Sequence, residues 1–262
     1  MALKRFPAVR WLLWLPLAFA LTGCRGNTHT GDYRFEILNR LPHDPNAYTQ
    51  GLLFHDGYFY ESTGLNGQSS LRQVDPMSGK ILRKRDLPSA YFGEGLALLH
   101  GVLLQITWRN HKAFAYRLET LEQIGEFDYD TEGWGLTTDG QQWIMSDGSD
   151  RLYFRDPKTF QTLRTLTVFD QGKSVTNLNE LEYIDGEIWA NVYLTDRIVR
   201  IDPTTGQVTG RLNLGGIVAA TERNGHEDVL NGIAYDADGK RLFVTGKLYS
   251  YVYEIAAIAT GN

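Results

Sequence analysis

The chain has 262 residues, a formal net charge of −5 and a single cysteine. An acidic balance with scattered charges argues against nucleic acid and anionic lipid as binding partners. One cysteine excludes an internal disulfide, so stability must come from burial.

The N-terminal segment is read first as an export signal. Lys4, Arg5 and Arg10 form a basic start, and residues 11–22 form an apolar run. That run is shorter than the roughly 20 residues a spanning helix needs. It ends Leu21-Thr22-Gly23-Cys24, which resembles a bacterial lipoprotein signal with Cys24 as the lipidated residue. Residues 1–24 are therefore expected to be a signal peptide and residues 25–31 a short polar tether. Residues 32–262 are expected to be the folded domain. The resemblance implies an exported, membrane-anchored lipoprotein facing the periplasm. With Arg25 rather than Asp after the cysteine, it points to the outer membrane over the inner one.

Five strand-like segments then open with nearly the same triplet: Gln50-Gly51-Leu52, Glu94-Gly95-Leu96, Trp134-Gly135-Leu136, Asn179-Glu180-Leu181 and Asn231-Gly232-Ile233. Their starts lie 44, 40, 45 and 52 residues apart. That spacing is the size of one propeller blade of four strands. Turn signals recur in step. Asp56-Gly57, His100-Gly101, Asp139-Gly140, Asp185-Gly186 and Asp238-Gly239 follow the triplets. Asp75-Pro76, Asp156-Pro157 and Asp202-Pro203 follow the third strands. The fifth copy ends one strand short, while residues 33–39 alternate in polarity and have no place in the first copy. The expected fold is all-β, a five-bladed β-propeller whose N-terminal strand closes the last blade. Residues 166–178 are expected to be the longest connection, and 215–230 another.

In such a ring the innermost strands converge on one axis, so the triplets place Gln50, Glu94, Trp134, Asn179 and Asn231 at one mouth. The glycines let backbones crowd there without a Cβ. Glu180 departs from the pattern, standing where the other copies have glycine. Trp108, Trp189 and Tyr193 lie nearby in sequence, either as packing between blades or as walls of a dry pocket. In a dry pocket the carboxyl of Glu94 would be raised in pKa and suited to proton transfer. Lys247 reads equally as a donor to a carbonyl oxygen or as a surface lysine. Metalloprotease, thiolate-metal and serine-hydrolase signatures are absent from the sequence. Glu180, Asn179 and Asn231 offer oxygen ligands for a structural calcium or another channel ion.

Several segments together resemble the glutamine cyclotransferase family of plants and bacteria. They are 43–52, Phe92-Gly93-Glu94-Gly95-Leu96, Gln105-Ile106-Thr107-Trp108, Glu132-Gly133-Trp134-Gly135-Leu136, 178–183, Trp189-Ala190-Asn191-Val192-Tyr193 and Thr245-Gly246-Lys247-Leu248-Tyr249. The resemblance implies an enzyme that cyclises an N-terminal glutamine of peptides and proteins to pyroglutamate and releases ammonia. It implies Glu94 as proton shuttle. Gln50, Lys247, Asn179 and the indoles of Trp108 and Trp134 become donors to the substrate oxygen. Tyr48 and Phe92 become walls against water, and Trp189 and Tyr193 share a further aromatic role. Tyr193 and Tyr249 stand where tryptophan is expected, a departure that bears on cavity width. No cofactor is required by this chemistry, and a monomer is expected. The alternatives are a non-catalytic propeller binding a peptide or cell-envelope partner, and a calcium-dependent lactonase-like hydrolase.

Overall fold

The computed structural model describes residues 31–261, and among them there are strands, turns and loops but no helix. The signal, Cys24 and nearly all of the tether lie outside the described residues.

Strand β1 (Gly31–Pro42) comes first. Four-stranded units follow in chain order. The first is β2 (Thr49–His55), β3 (Tyr58–Thr63), β4 (Ser70–Val74) and β5 (Ile81–Asp86). The second is β6 (Gly93–Leu99), β7 (Val102–Thr107), β8 (Lys112–Arg117) and β9 (Gln123–Asp128). The third is β10 (Leu136–Thr138), β11 (Trp143–Ser146), β12 (Arg151–Arg155) and β13 (Thr162–Thr167). A small hairpin, β14 (Phe169–Asp170) and β15 (Lys173–Ser174), precedes the fourth: β16 (Leu178–Ile184), β17 (Glu187–Val192), β18 (Arg197–Ile201) and β19 (Val208–Asn213). The fifth has β20 (Leu230–Asp236), β21 (Arg241–Gly246) and β22 (Tyr251–Ala259). Within each unit the strands pair antiparallel in chain order.

β1 supplies the missing strand of the fifth unit by antiparallel pairing along β22, from Tyr33 opposite Ala259 to Pro42 opposite Tyr251. Its first residues also pair in parallel with β19, Gly31 opposite Gly210, which joins the fourth and fifth units into one eight-stranded sheet. The connection at 166–178 is broken by the β14–β15 hairpin, so the longest irregular stretch is instead the one between β19 and β20. This corrects the expected order of the two loops.

The turn chemistry explains the repeat locally. Asp56-Gly57, His100-Gly101 and Asp185-Gly186 each hold both residues at positive φ, as a tight two-residue hairpin requires. Asp75, Asp156 and Asp202 each accept backbone N–H bonds from residues two or three ahead, the local bond that favours Asp in turns.

The core is divided into five wedges, one between each pair of neighbouring units. Phe59 and Leu52 meet Phe243 and Val252 between the first and fifth units. Leu71 and Leu53 meet Leu103 and Phe114 between the first and second, and the pattern repeats around the molecule. Each fully buried aliphatic or phenyl side chain of this kind contributes about 1.5–3 kcal/mol. The first strands touch in cyclic order, β2 with β6, β6 with β10, β10 with β16, β16 with β20, and β20 with β2. Their approach is close enough to need glycine. A Cβ on Gly95 would lie 2.4 Å from the Leu136 nitrogen, and one on Gly135 would lie 2.0 Å from the Asn179 oxygen.

Glu180 fills the place of that glycine in the fourth unit. Its carboxylate reaches across the axis, where Oε1 accepts the Leu52 N–H at 3.2 Å and Oε2 the Ile233 N–H at 2.8 Å. One side chain thus ties the first and fifth units together. Burial and the neighbouring Glu182 push its carboxyl well above the usual range, against the two amide donors.

Candidate active site

Three equivalent positions per unit converge at one mouth of the ring. The first residues of three triplets form the floor, Gln50 on β2, Glu94 on β6 and Asn179 on β16, while Trp134, first in the third triplet, belongs to the rim. The residue two before the triplet forms part of the rim, as Tyr48, Phe92 and Glu132. The residue just past each second strand forms the rest, as Trp108, Tyr193 and Lys247. One backbone bond fixes the two rim positions to each other. The N–H of Trp108 donates to the Phe92 carbonyl, that of Lys247 to Val229 and that of Gly64 to Tyr48. In the first unit the position past the second strand is Gly64, and its missing Cβ leaves room for the Phe92 ring, which would otherwise lie 2.4 Å away.

Together Tyr48, Gln50, Phe92, Glu94, Trp108, Trp134, Asn179, Tyr193 and Lys247 enclose a cavity of about 200 Å³. The rim is a collar built of two arcs of ring contacts. Tyr48 meets Phe92 edge-on, with ring centroids 6.2 Å apart. Phe92 meets Trp108 at 5.6 Å, and Trp134 meets Tyr193 at 5.5 Å. The ammonium of Lys247 closes the gap, 5.1 Å from the Tyr193 centroid and 4.7 Å from that of Tyr48. Such cation–aromatic contacts are favourable, the more so where water is excluded.

Glu94 is 5% exposed. Its Oε1 accepts the Gln50 side-chain N–H at 3.1 Å, and Gln50 Oε1 in turn accepts from the Asn231 amide at 3.1 Å. Burial raises the Glu94 carboxyl well above the ordinary range; the charge of Lys247 pulls it down and that of Glu132 pushes it up. Lys247 is 4% exposed. Burial lowers its pKa, opposed by the charges of Glu94 and Asp228. A carboxyl and an ammonium, each held out of water, are thus placed beside one small apolar-walled space. That arrangement suits proton transfer at one atom and charge stabilisation at another. Lys247 is therefore a buried site residue and not the surface lysine that the sequence left open.

Several expected roles change. Trp189 does not reach the cavity. It is buried in the wedge between the fourth and fifth units, beneath the guanidinium of Arg200 at 5.2 Å, while Tyr193 lines the site. Tyr249 is likewise buried in that wedge. The indoles of Trp108 and Trp134 line the cavity, but their N–H groups do not point at its centre. Both donate to Oε2 of Glu132, at 2.7 and 3.1 Å. Their expected role as donors to substrate is corrected to that of walls. Glu180 and Asn231, expected beside a possible channel ion, lie on the axis, where the buried Oδ1 atoms of Asn231 and Asn179 find no hydrogen-bond partner among the described residues. The Asn231 Nδ2 donates to the Thr49 carbonyl and to Gln50, and both Glu180 oxygens face backbone N–H groups. Among the described residues no group of three or more His, Cys, Asp or Glu is placed to hold a metal.

Glu132, bonded to two cavity-lining indoles, was not among the candidate residues read from the sequence. A signal was available: it stands two residues before the third triplet, the position that Tyr48 and Phe92 hold in the first two. Asp228, also missed, accepts the Tyr48 hydroxyl at 3.0 Å and so orients that ring.

The chain is similar to several known proteins. Residues 13–257 match the family model described as glutamine cyclotransferase. The glutaminyl-peptide cyclotransferase of Arabidopsis thaliana is 43% identical over 235 residues, covering 87% of this chain and 73% of the relative. The crystal structure of Myxococcus xanthus glutaminyl cyclase aligns with a TM-score of 0.83 at 34% identity, covering 89% of this chain and 100% of that one.

Proposed function

The chain belongs to the glutamine cyclotransferase family, and on that premise we propose that it converts the N-terminal glutamine of peptides and proteins to pyroglutamate, with Glu94 carrying the proton. The observation that carries the assignment of roles is the buried Glu94 carboxyl, bonded to Gln50 and facing the same 200 Å³ cavity as the Lys247 ammonium.

The substrate α-amine attacks its own side-chain carboxamide carbon, so a C–N bond forms and closes a five-membered ring. Glu94, as carboxylate, takes one proton from that amine. The raised pKa that burial imposes makes it a stronger base than an exposed carboxylate. The carboxamide oxygen gains negative charge as the carbon becomes tetrahedral, and the Lys247 ammonium and a Gln50 N–H stand beside the cavity to stabilise it. The C–N bond to the side-chain nitrogen then breaks. Glu94 returns its proton to that nitrogen, which leaves as ammonia, and the carboxylate is restored. The aromatic collar holds the side chain folded back and excludes water. For an intramolecular reaction this positioning supplies much of the rate.

The five core wedges and the cyclic order of first strands support reading the fold as a five-bladed β-propeller, closed by β1 in the fifth blade. We propose that the reaction itself requires no cofactor and that any ion held in the channel is structural. We further propose that the folded domain acts as a monomer exported to the periplasm and anchored through lipidated Cys24, at the outer membrane rather than the inner one.

Incubating the full-length protein with a Gln-initiated peptide tests the activity. Ammonia release with a loss of about 17 mass units supports it; an unchanged peptide sinks it. Retention of activity in a chelator separates this reading from a calcium-dependent hydrolase, and an unchanged peptide that still binds points to a non-catalytic receptor.

A further inference from the structure

We propose that Glu132 is a positioning residue for this cyclisation: a single carboxylate that holds both indole walls of the cavity in place and sets the charge opposite Lys247. The inference rests on the cyclotransferase reading above.

The geometry is specific. The loop between β9 and β10 brings Glu132 to the rim between two tryptophans from different units. One oxygen, Oε2, accepts both indole N–H groups, Trp108 at 2.7 Å and Trp134 at 3.1 Å. The other, Oε1, accepts the Arg109 Nε–H at 3.0 Å. The guanidinium of Arg109 in turn lies over the Trp108 ring, 3.8 Å from its centroid. The collar has direct ring contacts from Tyr48 to Phe92 to Trp108 and from Trp134 to Tyr193. Glu132 is the bridge between those two arcs. An indole has one polar hydrogen and no acceptor, so its orientation about a cavity is fixed by where that hydrogen finds a partner. Here both find the same partner, which couples the two walls to one anchor. Behind Trp134 the space is closed by Gly148, where a Cβ would lie 2.6 Å from the indole. The ring is thus held from behind by packing and at its polar edge by Glu132.

The charge matters as well as the acceptor. Three charge-assisted hydrogen bonds keep Glu132 ionised, holding its carboxyl below the usual range despite some burial. The ionisable groups that interact with Glu94 come from several elements: Lys247 past β21, Glu132 before β10, Tyr48 before β2 and Tyr129 after β9. Lys247 is the cation among them and opposes Glu132. Glu132 therefore biases Glu94 toward holding its proton, while Lys247 biases it toward releasing one.

The test uses the full-length chain and compares Glu132→Gln with Glu132→Ala. Glutamine keeps an oxygen for the two indoles but removes the charge. Alanine removes both. In Glu132→Gln, kcat/KM at the plateau is expected to fall by no more than about fivefold, and the acid limb of the pH profile moves to lower pH, because a like charge has been removed from beside Glu94. In Glu132→Ala, kcat/KM is expected to fall by about 10–100-fold through both a raised KM and a lowered kcat. Its tryptophan emission shifts to the red as the indoles turn toward water. An alanine variant no more impaired than the glutamine variant, with wild-type emission, overturns the positioning role. An unmoved acid limb in Glu132→Gln overturns the electrostatic one, and this readout survives if the alanine variant fails to fold. A wild-type protein that releases no ammonia overturns the cyclotransferase reading instead, and the emission comparison still decides whether Glu132 clamps the indoles.

Discussion

The side-chain amide of Asn231 donates to Oε1 of Gln50 at 3.1 Å, and this bond decides which end of Gln50 meets Glu94. With Oε1 occupied, Gln50 turns its N–H toward the Glu94 carboxylate. Asn231 is itself fully buried and does not line the cavity. It acts through Gln50, fixing the amide orientation that favours the ionised form of the catalytic carboxyl.

Replacing Asn231 by leucine removes that control. Gln50 is then free to present its oxygen to Glu94, which disfavours the carboxylate. We expect kcat/KM to fall by roughly tenfold, the worth of about one buried hydrogen bond. The acid limb of the pH–rate profile moves to higher pH, opposite in sign to the shift expected for Glu132→Gln. Ammonia release measured across pH 5–9 checks both.

Glu94→Gln removes the proposed proton carrier and is expected to lower kcat by about 10²–10⁴-fold while leaving peptide binding largely intact. Its stability carries a second signature. The folded-state pKa of Glu94 is raised, so the native state holds the proton more tightly than the unfolded chain. That contribution is present below the ordinary carboxyl range and is lost as pH rises through the raised value. The glutamine variant lacks this loss, so its midpoint in urea falls less than that of the wild type between pH 5 and pH 8.

Lys247→Met keeps most of the unbranched side chain and removes the terminal ammonium with its charge. Loss of one preorganised donor to the developing oxyanion is expected to cost about 10²–10³-fold in kcat. Without the cation the Glu94 carboxyl rises further, so the acid limb moves to higher pH. A variant with wild-type kcat would remove Lys247 from the reaction.

Trp189 and Tyr193 separate packing from binding. Trp189→Phe is expected to cost about 1–3 kcal/mol of stability with kcat/KM within about twofold of wild type. Tyr193→Ala breaks the contact with Trp134 and is expected to raise KM by roughly three- to tenfold. Steady-state kinetics with thermal denaturation distinguishes the two patterns.

Two residues beyond Glu180 on the same strand, the Glu182 carboxyl is pushed up to about 8 by burial, against the Tyr235 N–H that it accepts at 3.0 Å. A raised carboxyl pKa stabilises the folded state at low pH, and that advantage is lost as pH climbs from about 4.5 to about 8. Glu182→Gln keeps an acceptor for Tyr235 and removes the titration. Its unfolding free energy is expected to fall less than that of wild type over this range, by about 1–3 kcal/mol given the partial exposure of the side chain.

Much of the fold was legible because it is written in local chemistry. Asp-Gly turns demand positive φ and alternating strands demand period two. The spacing of the triplets then aligned Gln50, Glu94, Trp134 and Asn179 on one mouth. The small β14–β15 hairpin turns at Gln171-Gly172, both at positive φ, a two-residue turn signal that was present but missed; the parallel contact of β1 with β19 has no local signal and was missed too. Trp189 and Tyr193 show the limit for the site. Alternation puts residues 189, 191 and 193 on one face of the strand, but it does not say which height along the strand is core and which is rim.

By itself the sequence determined the repeat, the strand order within each unit and the set of residues presented to the axis, since turns and pleats depend on neighbours along the chain. Tertiary structure alone decided that Glu180 bridges the first and fifth units and that Glu132 captures two indoles at once. It also decided that Asn231 sets the orientation of Gln50. Each of these needs a hydrogen bond between groups remote in sequence, for Glu132 the one to Trp108, and its existence depends on how the units pack around the ring.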